Sequence, residues 1–209
     1  DLDLAHHTKE LIWQHARTTF GQGVVGDIGA FGGLFHLTGY RDPVLVSSTD
    51  SVGTKLKIAA LMGKYDTVGI DVVNQNLNDI FVQGAKPLFF LDYIGVGKLV
   101  PEHVESMVKG VAQACREAGA ALIGGETAQL PGLYHGDDFD LVGFIVGAVE
   151  RDEIIDGSKI QNGDLLLGIP SSGLHTNGYS LVRMVFQMEA HPEVLDTIYP
   201  QLGRSLGEA

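Results

Sequence analysis

The chain has one cysteine, Cys115, one tryptophan and seven prolines among 209 residues. A single cysteine excludes an internal disulfide framework. Cys115 falls on an apolar helical face, which reads as a buried thiol rather than a nucleophile. Basic residues are scarce: 14 Lys and Arg stand against 26 Asp and Glu, a formal net charge of −12. That balance argues against nucleic acid or an anionic membrane surface as the main partner. An anionic substrate would have to be met by local Lys/Arg and backbone N–H groups. No apolar run approaches membrane-spanning length and no signal peptide is visible, so a reducing, cytoplasmic home fits best. No Walker A lysine motif is present. Gly26, Gly29 and Gly32 are not the dinucleotide fingerprint, because no strand leads into them. If ATP binds, a different architecture must hold it.

What is present is globular: 44% hydrophobic and 19% charged, enough for one large domain or two small ones. Helices are expected over residues 4–18, 54–62, 66–83 and 101–118. In the third, Ile70, Val73, Leu77, Ile80 and Phe81 recur at three- and four-residue spacings; the last starts at Pro101. Strands are expected at 43–46, 87–96, 120–123, 140–149 and 164–169, with a loop over 21–33 and a helix starting near Asn177. The polar stretch 151–163, with Asp156-Gly157 and Asn162-Gly163, marks a domain boundary. Two units follow: 1–155, and 160–209. The second offers one strand and one helix, which cannot bury their apolar faces alone. Residues 202–209 read as the start of another helix.

Four polar segments carry chemistry. Residues 47–55, S-S-T-D-S-V-G-T-K, follow an apolar strand. Asp50 is a hard oxygen ligand of the kind Mg²⁺ prefers, Lys55 a point charge for a phosphate, and Gly53 permits close backbone approach. The same T-D-S is also ordinary turn chemistry. Gly124-Gly125-Glu126-Thr127-Ala128 repeats the pattern after a second strand, and Asn78-Asp79 lies within the helix 66–83. If Asp50, Asp79 and Glu126 converge, they would form an oxygen cage for one or two Mg²⁺ with bound polyphosphate. The fourth segment, S-S-G-L-H-T-N-G at 171–178, stands between a strand and a helix start. That placement suits an anion at a helix N-terminus; the alternative is a plain cap by Thr176 or Asn177.

These segments together resemble aminoimidazole ribonucleotide synthetase, the phosphoribosylformylglycinamidine cyclo-ligase family of purine biosynthesis. The resemblance is carried by V-L-V-S-S-T-D-S-V-G-T-K-L (44–56), Y-D-T-V-G-I-D (65–71), N-D-I-F-V-Q-G-A-K-P-L-F-F-L-D-Y (78–93), G-G-E-T-A-Q-L-P-G-L-Y (124–134), F-D-L-V-G-F (139–144) and S-S-G-L-H-T-N-G-Y-S-L-V-R (171–183). The carboxylate loops are shared with a wider ATP-using superfamily that includes thiamine monophosphate kinase. Departures from the pattern are Ser48 and Ser51 in place of glycines, Asn74-Gln75-Asn76-Leu77 in place of A-M-C-V, Gln129 and Leu130, Thr176, and the segment 26–33. A side chain at Ser48 or Ser51 would conflict with a positive φ there. Asp1-Leu2-Asp3 matches a D-I-D that follows a short leader, so the chain is expected to be a fragment.

The resemblance implies an α/β (α+β) fold whose N-terminal domain has a mixed or antiparallel sheet that forms a β-barrel across a homodimer, followed by the first strand and helix of a truncated second α/β domain. The apolar strands 87–96 and 140–149 are compatible with such closure. It implies an ATP-dependent ligase that closes the imidazole ring of aminoimidazole ribonucleotide from formylglycinamidine ribonucleotide. Its cofactors would be ATP and Mg²⁺. Asp50, Asp79 and Glu126 would hold the metal. Asp50, Lys55, Asp79, Glu126 and Thr127 would bind the nucleotide, and Ser171, Ser172, Gly173, His175 and Asn177 the substrate phosphate. Asp50, Lys55 and His175 would be catalytic; His175 is a proton carrier or only a phosphate donor. The alternatives are a thiamine monophosphate kinase-like enzyme, or a catalytically inactive, dimerising fragment.

Overall fold

The computed structural model describes residues 2–29 and 31–209. Asp1, at the D-I-D match, and Ala30, in the glycine-rich segment, lie outside the described residues. Helix α1 (Leu2–Arg17) leads through a two-residue ribbon, β1 (Val24–Val25) with β2 (Leu34–Phe35), to β3 (Pro43–Ser51). Then come α2 (Lys55–Met62), α3 (Asp66–Phe81), β4 (Lys86–Val96), α4 (Pro101–Ala118), β5 (Ala121–Gln129) and β6 (Phe139–Glu150). The remainder is sparse: α5 (Tyr179–Val185), then β7 (Ile198–Tyr199) paired with β8 (Arg204–Ser205).

The main sheet has the order β3-β6-β4-β5. β6 pairs antiparallel with both β3 and β4, and β4 pairs parallel with β5 across the α4 crossover. This is a mixed α/β architecture. One face is covered by α3 and α4, with α1 packed on α4 and β5. Alternation sorts the strands: Phe90, Ile94, Leu141 and Ile145 are fully buried beneath the helices, whereas Leu45 and Phe144 on the other face are exposed. The helices cross closely. A Cβ at Gly69 would fall 2.1 Å from the Met107 carbonyl, and one at Gly110 would fall 1.9 Å from that of Asp66. No larger residue fits at that crossing.

Several expectations are corrected. Segment 47–51 is strand, not loop: β3 runs on to Ser51, so Asp50 is a strand residue paired with Gly143. Gly124-Gly125-Glu126-Thr127-Ala128 likewise continues β5, because β4 supplies a partner along its whole length. Residues 164–169 form no strand; Leu165, Leu166, Leu167 and Ile169 are 90–98% exposed. No strand among the described residues lies beside them, so their backbone has no ladder to join. The helix expected near Asn177 starts at Tyr179, and neither Thr176 nor Asn177 caps it: Gly178, at φ +90°, precedes it with no side-chain cap. Residues 202–209 form β8 and turns instead of a helix.

A second, smaller apolar cluster joins the C-terminal residues to α2. Met188 and Leu195 pack with Ile58, flanked by Met62, Val182 and Phe186. This contact sets residues 176–180 beside the start of α2.

Candidate functional site

The turn after β3 is built by its own chemistry. Gly53 has φ +74°, a conformation that favours glycine, and its Cβ position is open. It is needed for the turn, not for close approach of a neighbour. Asp50 Oδ1 accepts from the Ser51 N–H at 2.8 Å, which fixes the carboxylate at the end of the strand. Ser48 and Ser51 adopt ordinary strand φ values, so their side chains meet no conformational conflict. Ser48 contributes positively: its hydroxyl donates to Asp79 Oδ2 on α3 at 2.6 Å.

Against this turn lies residues 176–180, more than a hundred positions later. Together they line a polar cleft of about 300 Å³ with Asp50, Thr54, Thr176 and Asn177 on its walls. Thr54 Oγ1 and Ser180 Oγ meet across it at 3.0 Å. Lys55 locks the two sides. Its Nζ donates to the His175 carbonyl at 2.9 Å and lies 5.2 Å from the centre of the Tyr179 ring. It also reaches Asp71 Oδ2 at 2.6 Å, off the line a hydrogen bond requires, so that contact is Coulombic. Lys55 is therefore a latch between α3, the turn and the 175–179 segment. To meet a phosphate it must exchange one of these partners.

The other members of the 171–178 segment face solvent. Ser171 Oγ donates to the Gly173 carbonyl at 2.6 Å, and Ser172 Oγ is 3.4 Å from His175 Nε2. The structure thus gathers Asp50 and Asn177 at one cleft, with Lys55 tied beside it to His175, Tyr179 and Asp71, and Asp79 on the same helix-facing side of β3. Ser171, Ser172, Gly173 and His175 are exposed and do not line the cleft.

Glu126 and Thr127 are elsewhere. Asp50, Gly143, Asp92 and Gly125 share one row across the sheet, and Ser51, Val142, Tyr93 and Glu126 the next. Adjacent residues of a strand face opposite ways, so Asp50 faces α3 and Glu126 the outer side. They also stand on opposite edges, three strand spacings of ~4.8 Å apart, or roughly 14 Å. Among the described residues, no group of three or more His, Cys, Asp or Glu could hold a metal ion. The single oxygen cage does not form within one copy. Glu126 and Thr127 instead line a cavity of about 600 Å³ walled by Trp13, Ile28, Gly29, residues 31–33 and the outer face of the sheet.

Asp92 was not singled out by its sequence, although a carboxylate inside F-F-L-D-Y is a signal. It sits on the helix-facing side between Phe90 and Ile94, its carboxyl lying over Gly125, where a Cβ would come 1.8 Å from Oδ1. Part of its surface remains open to the cavity, yet protein surrounds it closely enough that desolvation raises its pKa to about 7. Burial, and then the nearby Asp92 charge, push the Cys115 thiol up, in keeping with an inert thiol.

Residues 35–149, more than half of the chain, match the family described as AIR synthase related protein, N-terminal domain. Phosphoribosylformylglycinamidine cyclo-ligase of Desulfitobacterium hafniense is 54% identical over 211 residues, covering all of this chain and 61% of the relative. That of Geobacillus kaustophilus is 55% identical over 210 residues, covering all of this chain and 60% of the relative. The chain thus spans about 60% of the length of the curated relatives it matches. Among solved structures, thiamine-monophosphate kinase from Stenotrophomonas maltophilia K279a superposes with a TM-score of 0.52 at 19% identity, over 69% of this chain and 43% of that one. Hydrogenase maturation protein HypE in complex with ATP gives 0.51 at 17% identity, over 72% and 41%. At such identities the likeness shows the fold alone. The sheet order, the carboxylates on either side of β3 and α3, and the match over 35–149 lead to one conclusion: the chain belongs to the AIR synthase related family, as a homologue of the phosphoribosylformylglycinamidine cyclo-ligases.

Proposed function

We propose that this chain supplies the metal- and phosphate-binding part of an ATP-dependent cyclo-ligase of purine biosynthesis. The observation that carries the reading is the polar cleft where the Asp50 turn meets residues 176–180 under the Lys55 latch. In such a reaction the formyl oxygen of formylglycinamidine ribonucleotide takes the γ-phosphoryl group of ATP. The amidine nitrogen that bears the ribose then attacks that carbon, and phosphate leaves as the ring closes. Positioning and charge neutralisation dominate chemistry of this kind.

Asp50 and Asp79 fit Mg²⁺, which takes one or two carboxylates, several waters and substrate phosphates rather than an all-protein cage. Buried amide atoms of Gln75 and Asn76 beside them, without protein partners, suit such a hydrated ion. When bound, the metal would neutralise phosphate charge. Lys55 would turn from Asp71 and the His175 carbonyl toward the phosphates. Ser171, Ser172, Gly173, His175 and Asn177 would receive the substrate's ribose phosphate. Glu126 and Thr127 would act from the 600 Å³ cavity, on a nucleotide or on a metal shared with a second copy. The exposed outer face, with Leu45 and Phe144, favours a homodimer, and a reducing, cytoplasmic setting suits the lone thiol.

Calorimetry tests the reading. The chain should bind Mg²⁺-ATP, and Asp50→Asn or Asp79→Asn should abolish binding while circular dichroism stays unchanged. Unaltered affinity in both variants would overturn the metal assignment. Product analysis of the full-length protein with formylglycinamidine ribonucleotide should give ADP, phosphate and the imidazole. Phosphoryl transfer to a phosphate ester instead would favour a kinase.

A further inference from the structure

Gln75 is half-buried, but both of its side-chain amide atoms are buried, and the reading above gives them no defined partner. Asp71, Gln75 and Asp79 are four residues apart on α3 and share one face of the helix. The outer two are engaged from the β3 side, Asp71 by Lys55 at 2.6 Å and Asp79 by Ser48 at 2.6 Å. Between Ser48 and Lys55 the chain passes through Asp50, so Gln75 stands on α3 opposite the Asp50 stretch. The next residue, Asn76, is fully buried; its Nδ2 donates to the Val72 carbonyl at 2.7 Å and toward the Asp50 carbonyl at 3.3 Å. Gly143 makes room for it, since a Cβ there would come 2.6 Å from Asn76 Nδ2.

Three atoms of this pair, Gln75 Oε1, Gln75 Nε2 and Asn76 Oδ1, are buried with no protein partner. Native folds keep few such groups, because each forgoes its hydration without return. An apolar residue at 75 would pack without this penalty, so the amide calls for a ligand.

We propose that Gln75 is a positioning residue for the Mg²⁺-phosphate group at Asp50 and Asp79, its amide hydrogen-bonding water of the metal's outer shell. The inference rests on the metal reading given above. Mg²⁺ dehydrates reluctantly, so the outer shell is water, and an amide offers that water both an acceptor and two donors. Asn76 stands behind, holding the Asp50 main chain to α3. Because the charge that holds the ion comes from Asp50 and Asp79 and Gln75 is neutral, Gln75 tunes metal binding and does not create it.

The test uses Mn²⁺ as the probe, followed by electron paramagnetic resonance with a non-hydrolysable ATP analogue present, on the chain as it stands. Gln75→Met should weaken Mn²⁺ binding by about tenfold, the scale of outer-shell ligands. Its metal-free melting temperature should hold or rise, since an unpaired amide is removed. Gln75→Glu should tighten Mn²⁺ binding in low salt and lose that gain in high salt, as an added charge beside the ion requires. A purely structural glutamine gives the opposite signature: a lower melting temperature in Gln75→Met and the same Mn²⁺ affinity in all three proteins. That result overturns the inference alone. No Mn²⁺ binding by the unaltered chain overturns the metal reading and this inference with it.

Discussion

Two apolar runs that read alike have opposite fates. Residues 44–46 lie in β3, where nine residues pair in register with β6 and Val44 and Val46 pack against the core. Residues 165–167 are three leucines in open chain, more than 90% exposed at Leu166 and Leu167. The difference is not propensity. β6 pairs on both sides, to β3 and to β4, and offers β3 a continuous ladder. Nothing among the described residues offers one to 165–167. A strand is a property of a pair, and an apolar run alone does not make one.

Four substitutions sharpen this contrast. Phe90 fills the space beneath α3 in the paired region, and Phe90→Ala should cost about 3–5 kcal/mol in urea unfolding. A loss under 1 kcal/mol would mean the sheet core is not the cooperative unit.

Asp92 is the paired region's own weak point. Its folded pKa, about 7, lies above the ordinary carboxylate value, so the folded state binds the proton more tightly than the unfolded one. The associated stability is present below about pH 4 and is lost as pH rises through about 7. Asp92→Asn keeps the shape and removes the ionisation. It should stabilise the chain at pH 8, by about 1–3 kcal/mol, and much less at pH 4. Equal effects at both pH values would show that Asp92 is hydrated in the folded state.

Ser48→Ala removes the hydroxyl that ties β3 to Asp79 on α3. The loss should be about 0.5–1.5 kcal/mol, with a parallel weakening of Mg²⁺-ATP binding. Affinity that is unchanged would separate Asp79 from the metal. Smallest is Leu166→Ser, which should shift stability by no more than about 0.5 kcal/mol, because its side chain is already in water. A large loss, or strong hydrogen-exchange protection at 165–167, would mean that these residues are covered in solution.

Much of the paired body was legible beforehand. The spacing of apolar residues gives α3, and α4 runs from Pro101 to Ala118 as its proline and its apolar stripe require. Strand ends were less legible. β3 and β5 extend five and six residues beyond their apolar runs, into segments that look like loops because they carry Ser, Gly, Asp and Glu. Pairing with β6 and β4 overrides that local chemistry. In the site, Asp50, Lys55 and Asn177 were marked by residue type, but their meeting was not. They join because Met188 and Leu195 pack on Ile58 of α2, a contact far apart in sequence with no local signature.

By itself, the sequence determined the four helices α1 to α4 to within a few residues, which runs are apolar and which side chains can carry charge or ligate. Those follow from periodicity and from the chemistry of single residues, which are local. The tertiary structure alone decided the rest. Strand register turned Asp50 toward α3 and Glu126 away from it, because one step along a strand reverses the face. It latched Lys55 to the 175–179 segment, and left Gln75 and Asn76 with buried amide atoms beside Asp50. Such features depend on which distant groups share a low-dielectric space, and that is fixed only when the elements pack together.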